Sequence, residues 1–188
     1  QTLAAMRINL SAAGERLGRF TLVRPLGTGG FGEVWVANRP DGPPVALKLL
    51  RRTLVKDLRV RQRFEREGEL LTRLEHPGIA RALSWSCDEN SGHIAMELVD
   101  RGTLDQLIEL QGRVAESQVL EVGIQIAQGL RAAQQAGLIH RDVKPGNILF
   151  ADAHTAKIVD FGLAVFMEDE EKVRGEVDWR HVNFFGGA

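Results

Sequence analysis

The hexapeptide Gly27-Thr28-Gly29-Gly30-Phe31-Gly32 is flanked by alternating patterns, not helical ones, and this limits the folds open to the chain. A G-x-G-x-x-G turn that opens a helix belongs to a dinucleotide-binding βαβ unit. Here Glu33 to Ala37 alternates as a half-buried strand does, with Val34 and Val36 on one face. Asp41-Gly42-Pro43-Pro44 follows, a turn that neither a helix nor a central strand tolerates. The hexapeptide therefore predicts a glycine-rich hairpin. Such a loop lets backbone N–H groups approach phosphate oxygens without obstruction by side chains.

The flanking segments extend this into an antiparallel meander. From Arg19 the pattern is strand-like, with Phe20, Leu22 and Leu26 on one side, and Val45 to Leu50 is the third strand. A helix is expected over about residues 55–74, where Val60, Phe64, Glu67, Leu71 and Leu74 form a stripe at helical spacing, ended by His76-Pro77-Gly78. Two further strands are expected near 79–86 and 93–99, joined by a polar turn from Asp88 to Gly92. After Arg101-Gly102 the character becomes helical, first from Thr103 and then from about Ser117 to Ala136, closed by Gly137. Ile148 to Phe150 and Ala156 to Val159 read as a small hairpin. The division is a leader at 1–18, a β-rich lobe at 19–99 and an incomplete helical lobe at 100–188, an α+β architecture.

Composition sets the outer limits. A chain of 188 residues suffices for two small lobes sharing a cleft. Its formal charge of −1 gives no reason to expect nucleic acid or an anionic membrane as partner. Cys87 is the single cysteine, so no internal disulfide or thiolate metal site can close, which fits a reducing, cytoplasmic setting. No apolar run approaches bilayer length, and no membrane contact is expected from this segment.

Several residues stand where a flat, phosphorylated ligand would need them. On a strand, Ala46 and Lys48 share a face, the first leaving room for a ring and the second reaching its phosphates. Glu67 falls on the apolar stripe of its helix, where a carboxylate is costly unless paired, and Lys48 is the expected partner. Glu65, Arg66 and Glu69 are off the stripe and read as a solvated face. His140-Arg141-Asp142-Val143-Lys144-Pro145-Gly146-Asn147 lies between a helix and a short strand, and Asp160-Phe161-Gly162 follows another strand. Either piece alone reads as a turn; their order is what carries information. His140, Phe161, Trp35, Trp85 and Cys87 read as structural, and the other histidines show no metal-ligand spacing.

Taken in this order, these motifs resemble the eukaryotic-like serine/threonine protein kinases, a family also common in bacteria, over about Phe20 to Glu168. The resemblance implies a bilobal kinase-like fold, ATP with Mg2+ or Mn2+ as cofactors, and a protein substrate bearing Ser or Thr. It implies that Gly27, Thr28, Gly29, Gly30, Phe31, Gly32 and Val34 cover the nucleotide, with Lys48 on its α- and β-phosphates, oriented by Glu67. Met96 would guard the back of the adenine pocket, the backbone of Glu97 and Val99 would bond the adenine edge, and Val34, Ala46 and Leu149 would sandwich the ring. Asp142 would take or orient the hydroxyl proton, Lys144 would steady the transferring group, and Asn147 and Asp160 would hold the metal.

The end of the chain departs from the family pattern. No Ala-Pro-Glu-like anchor follows Asp160-Phe161-Gly162, and the tail after Gly175 does not align, so a domain truncated after this region is expected. Exposed apolar surface is expected where further helices would pack, with weak activity for this chain alone. No Ser, Thr or Tyr occurs from Asp160 to Ala188, although Arg141 implies a pocket for a phosphorylated residue; the acidic run Glu168 to Glu171 reads as a solvated loop. Two other readings are a nucleotide-binding pseudokinase, whose usual sign is loss of Lys48, Asp142 or Asp160, and a small-molecule kinase, which the complete His-Arg-Asp-x-Lys-Pro run argues against.

Overall fold

The computed structural model describes residues 11–29 and 32–161 and the backbone of 165–166. Gly30, Phe31, Gly162, the acidic run at 168–171 and the tail after Gly175 lie outside the described residues.

The first strands form an antiparallel sheet: β1 (Arg16–Leu17), β2 (Phe20–Thr28), β3 (Gly32–Arg39) and β4 (Gly42–Leu50), joined by β5 (Ala82–Cys87) and β6 (Gly92–Glu97). The order across the sheet is β1-β2-β3-β4-β6-β5. The segment expected as a leader thus contributes β1, which pairs with β2 through Arg16 opposite Thr21 and Leu17 opposite Phe20. Alternation along β4 divides the sheet's two faces. Val45, Leu47 and Leu49 join Phe20, Leu22, Trp35 and Ala37 in one buried cluster. Ala46 and Lys48 turn to the opposite face, as expected, and line a cleft there.

Leu26 departs from expectation. The pairing of β2 with β3 shifts register between Leu22 and Arg24 and again between Pro25 and Gly27. Such irregularities undo the simple alternation that had grouped Leu26 with Phe20 and Leu22. Leu26 is 44% exposed and lines the cleft. Gly32 closes the hairpin where a side chain is impossible, because a Cβ there would lie 1.8 Å from the Leu49 carbonyl oxygen.

The expected helix at 55–74 is two helices, α1 (Arg52–Val55) and α2 (Leu58–Arg73). Asp57 separates them: its side chain accepts hydrogen bonds from Arg59 N–H and Val60 N–H and so caps α2. Phe64, Glu67, Gly68 and Leu71 are the buried residues of α2. That face rests on β5, with Gly68 directly against the Trp85 side chain.

Beyond β6 come α3 (Leu104–Gln111) and α4 (Glu116–Gln135), then β7 (Leu138–Ile139), a 3-10 turn (Pro145–Asn147), β8 (Ile148–Phe150), β9 (Ala156–Ile158) and β10 (Val165–Phe166). Thr103 and Gln106 form a reciprocal capping box at the start of α3. The β8–β9 hairpin appears where expected, with Leu149 opposite Lys157. A second core joins the halves: Phe64 and Leu71 of α2, Val122 and Ile126 of α4, and Ile148, Ile158 and Phe161 belong to one cluster. Val119, Leu120 and Ile124 on α4 are more than half exposed. Among the described residues, no helix is long and apolar enough to cross a membrane.

The Gly68–Trp85 contact yields a stability prediction. A Cβ at Gly68 would lie 2.6 Å from Trp85 Cγ and 2.8 Å from its Cβ, both near the root of that side chain and slow to yield. Gly68→Val should cost about 2 kcal/mol by overpacking, more than the fraction of a kcal/mol it gains in helix propensity. Chemical denaturation measures this. An equal cost for Gly68→Val in a Trp85→Ala background would contradict the steric origin.

Candidate active site

A cleft of about 550 Å3 opens between the sheet and the helical part. Its upper wall carries Leu26, Gly27, Val34, Ala46 and Lys48; its back carries Met96, Glu97 and Val99; its floor carries Asn147, Leu149 and Asp160. Most of the residues assigned to a nucleotide from sequence are therefore gathered around one space. Thr28, Gly29 and Gly32 are outside its lining. Gly29 N–H donates to Gly32 O at 2.8 Å, and Gly29 O accepts from Arg51 at 2.7 Å, so the described part of the loop closes on itself. The N–H of Glu97 is also engaged, donating to Arg81 O at 2.9 Å, so a bond from this residue to a ligand edge falls to its carbonyl.

The cleft is polarised by a buried ion pair. Lys48 Nζ lies 2.6 Å from Glu67 Oε1, with the two side chains only 11% and 10% exposed. Lys48 extends from β4 and Glu67 from the buried face of α2, so the pair joins sheet to helix. Burial pushes the Glu67 carboxyl up, and the Lys48 ammonium pulls it back. Lys48 Nζ is also 3.9 Å from Asp160 Oδ1, which carries its charge toward the floor of the cleft.

The floor is built around His140. Its ring is buried and meets Phe161 edge-on at 4.7 Å between centroids. Asp142 N–H donates to His140 Nδ1 at 3.2 Å, so Nε2, 2.9 Å from Val159 O, carries the ring proton. One neutral imidazole thus holds both the loop bearing Asp142 and the strand leading to Asp160. Arg141 and Asp160 adopt left-handed backbone conformations, with φ of 62° and 63°. Such positions are uncommon for residues other than glycine and concentrate at functional sites. These bends fall just past β7 and β9, Arg141 two residues after Ile139 and Asp160 two residues after Ile158.

Asp142, Lys144 and Asn147 form a hydrogen-bonded group. Lys144 Nζ donates to Asp142 Oδ2 at 2.8 Å, and Asn147 Nδ2 donates to the Asp142 carbonyl at 2.8 Å and to Oδ2 at 3.2 Å. The hydrogen bond from Lys144 is the main reason the Asp142 carboxyl lies below the ordinary aspartate range, and Asp142 in turn raises Lys144. With its amide nitrogen committed to Asp142, Asn147 has Oδ1 available for a cation. Val159 N–H donates to Asn147 O at 2.9 Å, which ties Asn147 to the residue just before Asp160. Asn147 and Asp160 thus offer hard oxygen donors from neighbouring points of one cleft. No group of three or more His, Cys, Asp or Glu that could hold a metal occurs among the described residues. A donor set of two protein oxygens suits a small divalent cation that completes its shell with phosphates and water.

Sequence reasoning overlooked Leu26 as part of the upper wall and Gly146 and Val159 as part of the floor. Pro25, inside a strand, was the available sign of the irregularity that exposes Leu26.

The comparisons with known proteins converge on one family. The protein kinase domain family matches residues 20–182. The serine/threonine-protein kinase PkaB of Streptomyces coelicolor is 35% identical over 164 residues, covering 83% of this chain and 39% of that protein. The serine/threonine-protein kinase PknA of Mycobacterium tuberculosis is 38% identical over 153 residues, covering 78% of this chain and 36% of that protein. Among solved structures, a PknI kinase domain of M. tuberculosis aligns with a TM-score of 0.68 at 33% identity, over 81% of this chain and 61% of that one. The chain thus spans well under half the length of these curated relatives and about three fifths of that solved kinase domain. With a family match across most of its length and a bilobal fold shared with solved kinase domains, this chain belongs to the protein kinase domain family.

Proposed function

We propose that the chain carries the nucleotide-binding and catalytic groups of a serine/threonine protein kinase, which moves the γ-phosphate of Mg·ATP to a Ser or Thr hydroxyl of a protein. The observation that carries this reading is the placement of Lys48 at 2.6 Å from Glu67 and 3.9 Å from Asp160, in a cleft that Asn147 shares. Phosphoryl transfer needs in-line positioning and cancellation of charge on the phosphate oxygens more than covalent help from the protein. Lys48 supplies positive charge for the α- and β-phosphates, held in place by Glu67. Val34, Ala46 and Leu149 present apolar surface for the adenine, with Met96 behind it, and Glu97 and Val99 offer backbone groups at its edge. Asn147 and Asp160 would hold Mg2+, which supplies charge neutralisation across the phosphates when bound; Mn2+ fits the same oxygens.

Asp142 is the group we assign to the substrate hydroxyl. It stays ionised to low pH because Lys144 donates to it, and its bond with Asn147 keeps it beside the metal-binding oxygens. To Lys144, which donates to Asp142 at 2.8 Å, we assign the steadying of the transferring phosphoryl group. The choice of Ser or Thr over Tyr is supported by Lys144-Pro145 after Asp142 and by the names of the relatives. ATP is a cytoplasmic donor, and we assign the reaction to that compartment. Lys48, Asp142 and Asp160 are all present, and Lys48 lies 3.9 Å from Asp160, which supports turnover over a pseudokinase reading.

Two experiments test these roles. In the full-length protein, Asp142→Asn should lower phosphate transfer to a Ser/Thr-bearing protein by about 10²–10⁴-fold and leave ATP affinity in place. Asp160→Asn should weaken nucleotide binding in Mg2+ but not in EDTA. A loss of affinity in Asp142→Asn as large as its loss of rate would overturn the assignment to the hydroxyl. The second concerns pH. As the pH falls through the ordinary carboxylate range, Asp142 remains ionised, because its native value is depressed. Lys144→Met removes the donor and should move the Asp142 titration upward, followed by carbon-detected NMR. No upward movement would mean that Lys144 is not the cause.

A further inference from the structure

Glu97 uses its side chain outside the backbone role proposed for it. One carboxylate oxygen, Oε1, accepts from Arg81 N–H at 2.7 Å and from Lys157 Nζ at 2.6 Å. The partners Glu97 and Lys157 lie 60 positions apart in sequence and are shielded, with side chains 32% and 15% exposed. Glu97 ends β6, one residue after Met96 and two before Val99; Lys157 sits on β9, three residues before Asp160. The pair therefore links the strip along the back of the cleft to the strand that delivers Asp160.

The surroundings reinforce this link. Ile158 N–H donates to Gly78 O at 2.9 Å, and Ala80 N–H donates to Ile158 O at 3.1 Å. The segment from Gly78 to Arg81 is thus bonded to β9 on one side and to Glu97 on the other. Arg81's guanidinium pairs with Glu75 at 2.7 Å, so it is its backbone that serves Glu97. A charge-assisted bond shielded from solvent holds geometry better than an exposed one. In this structure it coexists with the assembled arrangement of Lys48, Glu67 and Asp160.

We propose that the Lys157–Glu97 pair is an inter-lobe tie that sets nucleotide affinity, with Lys157 as a positioning residue. The tie holds the Met96–Val99 strip at a fixed distance from Asp160, so the adenine edge and the phosphate–metal end of the cleft stand ready together. Without it, that ordering has to be supplied on binding, at a cost in affinity. This rests on the nucleotide-site reading above.

The test uses the full-length protein with Lys157→Met, Glu97→Gln, their combination, and Lys157→Arg. Glutamine keeps an acceptor for Arg81 N–H while removing the charge. Amide hydrogen exchange at Ala80, Arg81 and Ile158 is measured without nucleotide, and Mg·ADP affinity is measured well below the unfolding midpoint. Lys157→Met should speed exchange at these amides and lower Mg·ADP affinity about fivefold, a coupling at the low end of those between linked sites. The double variant should be no weaker than the worse single one, and Lys157→Arg should restore most of the affinity. Unchanged affinity in Lys157→Met and Glu97→Gln overturns the proposal, as does additivity in the double variant. If the unaltered protein fails to bind Mg·ADP, the nucleotide-site reading has failed, and the exchange data alone decide whether the tie exists.

Discussion

The buried contact between Lys48 and Glu67 is the constraint around which the structure is arranged. Each charge taken singly would be costly at this depth, and together they are tolerable only at close range. That requirement sets the rotation of α2 about its own axis, since a turn of one residue would carry Glu67 off the buried face and strand Lys48. Asp57 and Gly68 serve the same end: one starts the helix at a defined residue, and the other lets it settle on Trp85. The sheet and α2 are thereby one unit, with a positive charge held at a known point in the cleft.

The floor is organised by a different device. His140 carries no charge of its own in this arrangement, yet it joins Asp142, Val159 and Phe161 through two hydrogen bonds and a ring contact. The left-handed backbone at Arg141 and Asp160 persists because these contacts hold both ends of each bend. Aspartates on short loops keep their places without belonging to a helix or strand, and Lys144 and Asn147 settle the ionisation and direction of Asp142.

Much of this was legible in the chain because periodicity and pairing cost are local properties. The alternation of β4 assigned Ala46 and Lys48 to one face, and the position of Glu67 on an apolar stripe demanded a cationic partner. Other features were hidden because they depend on register or on distant neighbours. Leu26 fits an alternating pattern that the irregular pairing of β2 with β3 breaks. Asp57 looks like any polar residue early in a helix until its side chain is seen to cap α2 and separate it from α1. Glu33, which in sequence only opens an alternating segment, is buried beside the glycine-rich loop, and its carboxylate accepts from the Trp35 indole at 2.7 Å.

The amino-acid sequence by itself determined which residue types stand in which order along the cleft, and hence the kind of chemistry they suit, because the motifs are short and each reads within a few residues. Tertiary structure alone decided how those motifs meet. The 2.6 Å closures of Lys48 on Glu67 and of Lys157 on Glu97 span 19 and 60 positions. Nothing local encodes such distances, since they follow from the packing of α2 on the sheet and of β9 under residues Gly78 to Arg81. Physical proximity between distant segments is a property of the packed core, and the core exists only once the elements have chosen their faces.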